Sequence, residues 1–489
     1  MASLLDTRRA FLAAVTIGLF ALAARNVTDP DVWWHLRTGQ LILQNHAVFR
    51  ADPYSFTKFG QPWINHEWLS DILIFSIYRA AGWTGLIASF AAVTTGTFML
   101  VFARCDGGPY LASAFAVWAA IASVPFWGVR PQTFSLFFAS LFLVLMERSY
   151  SRPILLWYTP PLMLIWVNLH AGYGIGIAFL ALFLLGDLVN IAVGAAEWKQ
   201  SRDRLKRLGL ALALCLALVP LNPYGRQMYW YPLQTAHSRS IQAYIAEWLS
   251  PNFHQGMYVA SLLLMLAIFA GAAVSPRRLS STDLLLLATT MWAALHSARL
   301  IPIYAIVAAP ILSRLVFACV RESGRFSESA PTTVQWPGRQ ILNGTVLAAF
   351  LLFGFLKIHA VVKNQAEVEK SAFPFSAVSF LRTNRLPKSL FNDYNWGGYL
   401  IWQLYPEYRV CIDGRADLYG DTFMDRFATV YHISGASWHS TLNDWGAETV
   451  LVPPDAPIVG ALRLLPEWRK VYGDAQAVIF LKAEAPPNQ

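Results

Sequence analysis

The chain has 489 residues, 56% of them hydrophobic and 14% charged, with a mean hydropathy of +0.41 and a formal net charge of +9. A soluble domain carries about a quarter of its residues as charges, so this composition excludes an ordinary soluble protein and implies a polytopic membrane protein. The positive balance is no nucleic-acid signal, because much of it lies in short loops between apolar stretches, where it orients the spans.

The first apolar stretch, 10–25, follows Thr7-Arg8-Arg9. Paired arginines before an apolar run, with Ala21-Leu22-Ala23 behind it, are also the pattern of a cleaved export signal. We favour an uncleaved first span, since a polytopic chain needs its first helix as an anchor. Both readings put the next segment on the outer face.

That segment, 26–66, concentrates the polar chemistry. It opens Asp29-Pro30-Asp31-Val32-Trp33-Trp34-His35-Leu36-Arg37. An acid directly above a membrane surface can deprotonate an acceptor hydroxyl or hold a divalent cation. Asp31 and His35 are one helical turn apart and can face one ligand. Asp29 is equally a good N-cap, with Pro30 suited to a first helical position. Further on, Asn65-His66-Glu67-Trp68-Leu69 enters a helix expected over 67–81. This helix is short for a span and carries Asp71 and Arg79, so it is expected to lie flat on the membrane. Glu67 can pair with an arginine, bind a metal or act as a base; the alternative is a first-turn charge complementing the helix dipole. His35, His66 and Glu67 permit a metal site, although their spacing matches no ligand motif.

With 67–81 lying flat, the basic groups Arg8/Arg9, Arg104, Arg148/Arg152, 199–207, Arg277/Arg278 and Arg321/Arg325/Arg339 all fall on one side. About eleven spans are then expected, at 10–25, 85–103, 111–127, 133–147, 154–169, 173–194, 208–221, 257–274, 282–296, 300–318 and 340–357. Arg37, Arg130, Arg299 and His170 fall on the outer side. Guanidinium groups there suit a lipid phosphate or pyrophosphate. Snorkelling to phospholipid headgroups is the competing fate. The aromatic phrase Glu247-Trp248-Leu249-Ser250-Pro251 reads as an interfacial anchor or as a cover over a site. The scarcity of ionisable groups within the spans argues against an ion-coupled transporter.

After a polar connector at 361–369, the pattern changes to a small α/β domain over 371–485. Strands are expected at 389–391, 409–412, 449–452 and 477–481, and helices at 377–382, 427–433 and 460–465. The sheet is expected to be mixed or parallel. Asn392-Asp393-Tyr394-Asn395-Trp396-Gly397-Gly398-Tyr399 and Ile412-Asp413-Gly414-Arg415-Ala416-Asp417 each follow an apolar run. Asp413 and Arg415 either recognise an acceptor or close an internal salt-bridged turn. No Walker or dinucleotide fingerprint is present.

A first span, an acidic pair in the first outer loop, a flat helix, many further spans and an external tail resemble the GT-C integral-membrane glycosyltransferases. The resemblance is to the bacterial branch related to protein mannosyltransferases and aminoarabinose transferases, and it rests on residues 1–357. It implies a GT-C-like domain with a small periplasmic C-terminal domain, in a bacterial inner membrane. It implies a polyprenyl-phosphate sugar donor, membrane lipid around it, and transfer to an external acceptor with inversion at the anomeric carbon. The family's acidic motif falls on Asp29 and Asp31, with Asp31 as the base or acceptor-positioning acid. Where the family has His-Pro-Pro-Leu entering the flat helix, this chain has His66-Glu67-Trp68-Leu69. The family's phosphate-holding arginines fall on Arg130 or Arg299. A non-catalytic protein of envelope-polysaccharide assembly, or a lipid or sugar transporter, are the other classes considered. The sequence names neither the sugar nor the acceptor.

Overall fold

The computed structural model describes residues 6–323 and 338–483. Arg325, and residues 484 and 485 of the expected tail domain, lie outside the described residues. All eleven apolar stretches are helical. Among the described residues, six helices are long and apolar enough to cross a membrane: Trp68–Phe102, Gly108–Phe126, Tyr173–Ala192, Gly256–Val274, Ala298–Glu322 and Arg339–Ala372. The expectation of about eleven includes five others that fall short of that measure. Thr7–Ala23, Gln132–Arg148 and Ser281–His296 have 17, 17 and 16 residues, and Pro153–Leu169 is a short apolar helix. Trp198–Leu218 is long enough, but its first half, WKQSRDRLKR, is charged.

Contacts divide the chain into two compact units. The first takes the described residues of Met1–Arg25, Ile87–Pro232 and Ala246–Val361; the second takes those of Asn26–Leu86, Leu233–Ile245 and Val362–Gln489. This differs from the expected division, which grouped 26–66 and 67–81 with the membrane region. The physical reason lies in hydrogen bonds from the segment 26–66 to the tail. Val27 N–H donates to Gln365 Oε1, and Gln365 Nε2 donates back to the Val27 carbonyl. Phe56 N–H donates to the Val410 carbonyl.

In the first unit, helix Ile301–Glu322 is buried at every position from Ile301 to Ser313. A helix apolar on all sides needs neighbours on all sides, and Gly108–Ser123, Val259–Val274 and Ser281–His296 pack on it. Several charges in this unit pair with one another. Arg104 forks onto Glu147 (2.9 and 2.8 Å), Arg314 reaches Asp283 (2.8 Å), and Asp187 takes Arg204 and the Tyr150 hydroxyl.

The second unit is built on a five-stranded sheet: β1 (Ser389–Asn392), β2 (Arg409–Val410), β3 (Thr449–Val452), β4 (Trp468–Gly473) and β5 (Val478–Lys482), in the order β2-β1-β3-β5-β4. β2, β1 and β3 run parallel, and β5 is antiparallel to β3 and to β4. Strand β4 is not among the expected ones. It is an edge strand whose Arg469 and Lys470 face solvent, so it shows no apolar run. The connector expected at 361–369 is instead helical, within Arg339–Ala372. Helix Trp68–Phe102 breaks at Gly82, which has φ 56° and ψ −150°. Only glycine adopts that backbone without strain. The break falls between the flat helix expected at 67–81 and the span expected at 85–103.

Arg415 ties loop to tail. Its guanidinium lies 2.8 Å from Asp52 Oδ1 and donates to both oxygens of Asp413 (2.7 and 2.6 Å), with all three side chains buried. The rings of Tyr54 and Trp63 flank it at 5.0 and 4.5 Å. Removing the cation strands two buried carboxylates, at a cost of about 3–5 kcal/mol. Arg415→Leu is therefore expected to lower the thermal midpoint of detergent-purified protein sharply, and Arg415→Lys to recover only part of it because one ammonium cannot serve both acids in a fork. A midpoint unchanged in Arg415→Leu would contradict this account.

Candidate active site

Helix Val32–Asn45 begins directly after Asp31. Asp31 is its N-cap residue by position, yet its carboxylate accepts no capping hydrogen bond from the helix's backbone N–H groups. Asp29 Oδ1 instead accepts the Asp31 N–H at 2.8 Å, so Asp29 shapes the turn that presents Asp31 and does not cap the helix itself. The Asp31 carboxylate is half-buried and accepts from Trp34 Nε1 at 3.3 Å.

The tail glycines explain how that turn is seated. A Cβ on Gly414 would overlap Asp31 Oδ1, and one on Gly398 would overlap the Pro30 carbonyl oxygen. The two tail phrases singled out in the sequence thus press bare backbone against the acidic loop. Side chains at either position would expel it.

One turn into the helix, buried His35 sits between two acids. Its Nδ1 is 2.6 Å from Asp71 Oδ1, and its Nε2 is 3.6 Å from Glu67 Oε2. Asn65 Nδ2 donates to the other Asp71 oxygen at 2.8 Å, and His66 Nε2 lies 3.2 Å from Glu67 Oε1. Gly39 lets the two helices meet here, since a Cβ on it would overlap the Asp71 carbonyl. Burial works to lower the pKa of His35, and Asp71, Glu67 and Asp31 together outweigh it, so His35 is held above its ordinary value. His66 is likewise raised: burial opposes the charge, and Glu67 and then Asp417 favour it more strongly. Both imidazoles beside Glu67 are thus shifted in favour of their charged forms.

In the first unit, two of the residues assigned to phosphate meet on one acid. Arg130 Nη1 and Nη2 lie 2.9 and 3.2 Å from the two oxygens of Glu247, and Arg299 Nη1 lies 2.7 Å from Oε1. The Trp248 ring lies against the Arg299 guanidinium at 5.3 Å. Burial pushes the Glu247 carboxyl up, but Arg299, Arg130 and His170 more than reverse this and bring it down to about 2. His170 Nδ1 accepts the Gly172 N–H at 2.8 Å and lies 2.7 Å from Ser135 Oγ, which fixes the ring.

Three expected site residues are engaged elsewhere. Arg37 donates to the Trp402 carbonyl and to Gln40, with Trp402 against its guanidinium at 5.1 Å, so it packs helix Val32–Asn45 on helix Gly397–Leu404. Asp413 and Arg415 are buried in the ion network of the loop, with Tyr419 donating to Asp413 at 2.7 Å, so they form the salt-bridged turn and present nothing to an acceptor. Among the described residues, no three His, Cys, Asp or Glu side chains are grouped to hold a metal ion. Sequence reasoning gives Asp71, Asn65 and Glu247 no site role of their own. For Asp71 a signal exists: a carboxylate inside an otherwise apolar run demands a buried partner.

By sequence, no family model and no curated protein matches the chain. By structure, it is similar to the archaeal oligosaccharyltransferase AglB from Archaeoglobus fulgidus in complex with an inhibitory peptide and a dolichol-phosphate. The TM-score is 0.56 at 11% identity, over 98% of this chain and 75% of that one. It is also similar to ArnT from Cupriavidus metallidurans in the apo state, with a TM-score of 0.51 at 12% identity over 96% of each chain. The chain shares the overall fold of these two proteins. At these identities the likeness is one of fold. It extends over at least 96% of this chain, whereas the resemblance read from sequence rested on 1–357.

The His35 couple has a signature in pH. A histidine whose pKa rises on folding stabilises the fold fully below its unfolded value, about 6.5. That contribution fades as pH climbs through the raised folded value. Thermal midpoints of the wild type are therefore expected to fall above pH ~6.5, and His35→Gln to have a shallower fall from a lower start. Equal slopes in the two proteins would show that the proton is not held at His35.

Proposed function

We propose that this protein transfers a sugar from a polyprenyl-phosphate carrier to an acceptor hydroxyl at the outer face of a bacterial inner membrane. The observation that carries the reading is the setting of Asp31, a carboxylate at a helix start, presented by Asp29 and seated against glycine backbone. The shared fold supports the general kind of reaction. That AglB was solved with a dolichol-phosphate supports a polyprenyl phosphate as the carrier.

In this reading the acceptor oxygen attacks the anomeric carbon and its proton passes to Asp31. The bond from the anomeric carbon to the phosphate oxygen breaks, and the polyprenyl phosphate leaves with the electron pair. One displacement inverts the anomeric centre. Arg130 and Arg299, paired in the first unit, are cations whose chemistry suits a carrier phosphate. Glu67, fixed between His35 and His66, orients the acceptor or the sugar.

The test works without the sugar being identified. Purified protein is incubated with lipid extract of its own cells, and liberated polyprenyl phosphate is quantified by mass spectrometry. Asp31→Asn is expected to lower the rate by at least about 100-fold, the contribution of a positioned base. Gly414→Ala is expected to cause a comparable loss by driving a methyl group into the carboxylate. Both variants should insert into membranes normally. Wild-type turnover in Asp31→Asn would overturn the reading.

A further inference from the structure

We propose that Glu247 is an internal stand-in for the carrier phosphate, seated on Arg130 and Arg299 until a donor displaces it. This rests on the reading of those arginines as the phosphate-holding pair.

Three segments far apart in sequence supply the cluster, and both arginines meet on one carboxylate. Arg130 presents both terminal nitrogens in a fork, and each oxygen of Glu247 takes one of them; Arg299 adds a third contact on Oε1. Two non-bridging phosphate oxygens have the same spacing requirement and the same charge sign. A phosphate can take the Arg130 fork only when the carboxylate gives it up.

The setting allows that exchange. Glu247 sits in the three-residue turn Ala246–Trp248, not in a long helix. Its side chain is 18% exposed, and those of Arg130 and Arg299 are 23% and 24% exposed, so the cluster is reachable without unfolding. The bonds around the turn are Ala298 N–H to the Leu249 carbonyl at 2.9 Å, Leu249 N–H to the Ala246 carbonyl at 3.3 Å, and Ser297 Oγ to the Glu247 carbonyl at 3.3 Å. Protonation does not open it at neutral pH, because the arginines keep the carboxyl ionised. The exchange is one anion for another.

The experiment measures binding of undecaprenyl phosphate in detergent micelles, with undecaprenol as the phosphate-free control, read by tryptophan fluorescence. Glu247→Gln is expected to bind the phosphate roughly tenfold more tightly than wild type, since a competing charge is gone, and to bind undecaprenol unchanged. Hydrogen–deuterium exchange on the wild type covers the case in which the variant misfolds. Undecaprenyl phosphate should speed exchange at Leu249 and Ala298, and undecaprenol should not. If the phosphate binds no better to Glu247→Gln and leaves exchange unaltered, while Arg130→Gln with Arg299→Gln abolishes binding, the stand-in proposal fails and the phosphate reading survives. If the double arginine variant binds the phosphate like wild type, the phosphate reading itself fails and the stand-in proposal falls with it.

Discussion

A guanidinium buried between two carboxylates holds the second unit together. Arg415 belongs to the tail, Asp52 to the loop of segment 26–66, and both are buried. Charges stripped of water are tolerated only when each finds its partner. Loop and tail therefore form one structure, although they lie near opposite ends of the sequence. With the loop fixed in this way, Pro30 and Asp31 can be laid against the bare backbone at Gly398 and Gly414. The position of the acid on which the proposed chemistry turns is thus set by an ion pair that never meets a substrate.

The same rule explains the cluster around His35. Asp71 lies in an apolar helix and is fully buried, so its charge must be answered locally. Asn65 satisfies one oxygen and His35 the other, and His35 then turns its remaining nitrogen toward Glu67. Glu67 is in turn flanked by His66. A carboxylate between two imidazoles has little rotational freedom, which is the property wanted of a group that must hold a substrate in one orientation. Asp31 stands one turn before His35 at the start of the same helix, and in the proposed reaction it serves a different step. Two acids in unlike surroundings are the usual means of dividing positioning from proton transfer.

Much of the helical plan is legible because apolar runs of span length can do little else than form helices in lipid. The tail is legible where its strands are buried: β1, β3 and β5 carry the apolar runs. It is illegible at β4, whose Arg469 and Lys470 face water, and at 361–369. There, polar side chains suggest a linker, while Gln365 in fact uses its amide to satisfy Val27 from within a helix. For the site, residue type is a better guide than residue role. Arg37 stands in a run of functional-looking residues, yet it braces Trp402. The salt-bridged turn at Asp413 and Arg415 is one of two readings open in the sequence, but their shared partner Asp52 lies far upstream, beyond any local pattern. Glu247 carries no signal of its own, since what makes it notable is the pair of arginines brought to it by two other segments.

That pair also raises a question of preorganisation. Two guanidinium groups held side by side repel, and without an anion they would relax toward water and toward phospholipid headgroups. A donor arriving at such a surface would have to gather them, and the ordering would count against its affinity. A carboxylate built into the protein gathers them beforehand. It sets the spacing of the Arg130 fork and places Arg299 against Trp248, so the nitrogens already stand where a phosphate's oxygens would require them. The cost is competition, because the incoming phosphate must displace a well-bonded acid. Competition of this kind is useful in a transferase, since the spent carrier has to depart after each turnover. Under the proposal, a returning Glu247 would lower the affinity for donor and product alike, and in exchange would keep the arginines in the geometry of the resting cluster between turnovers.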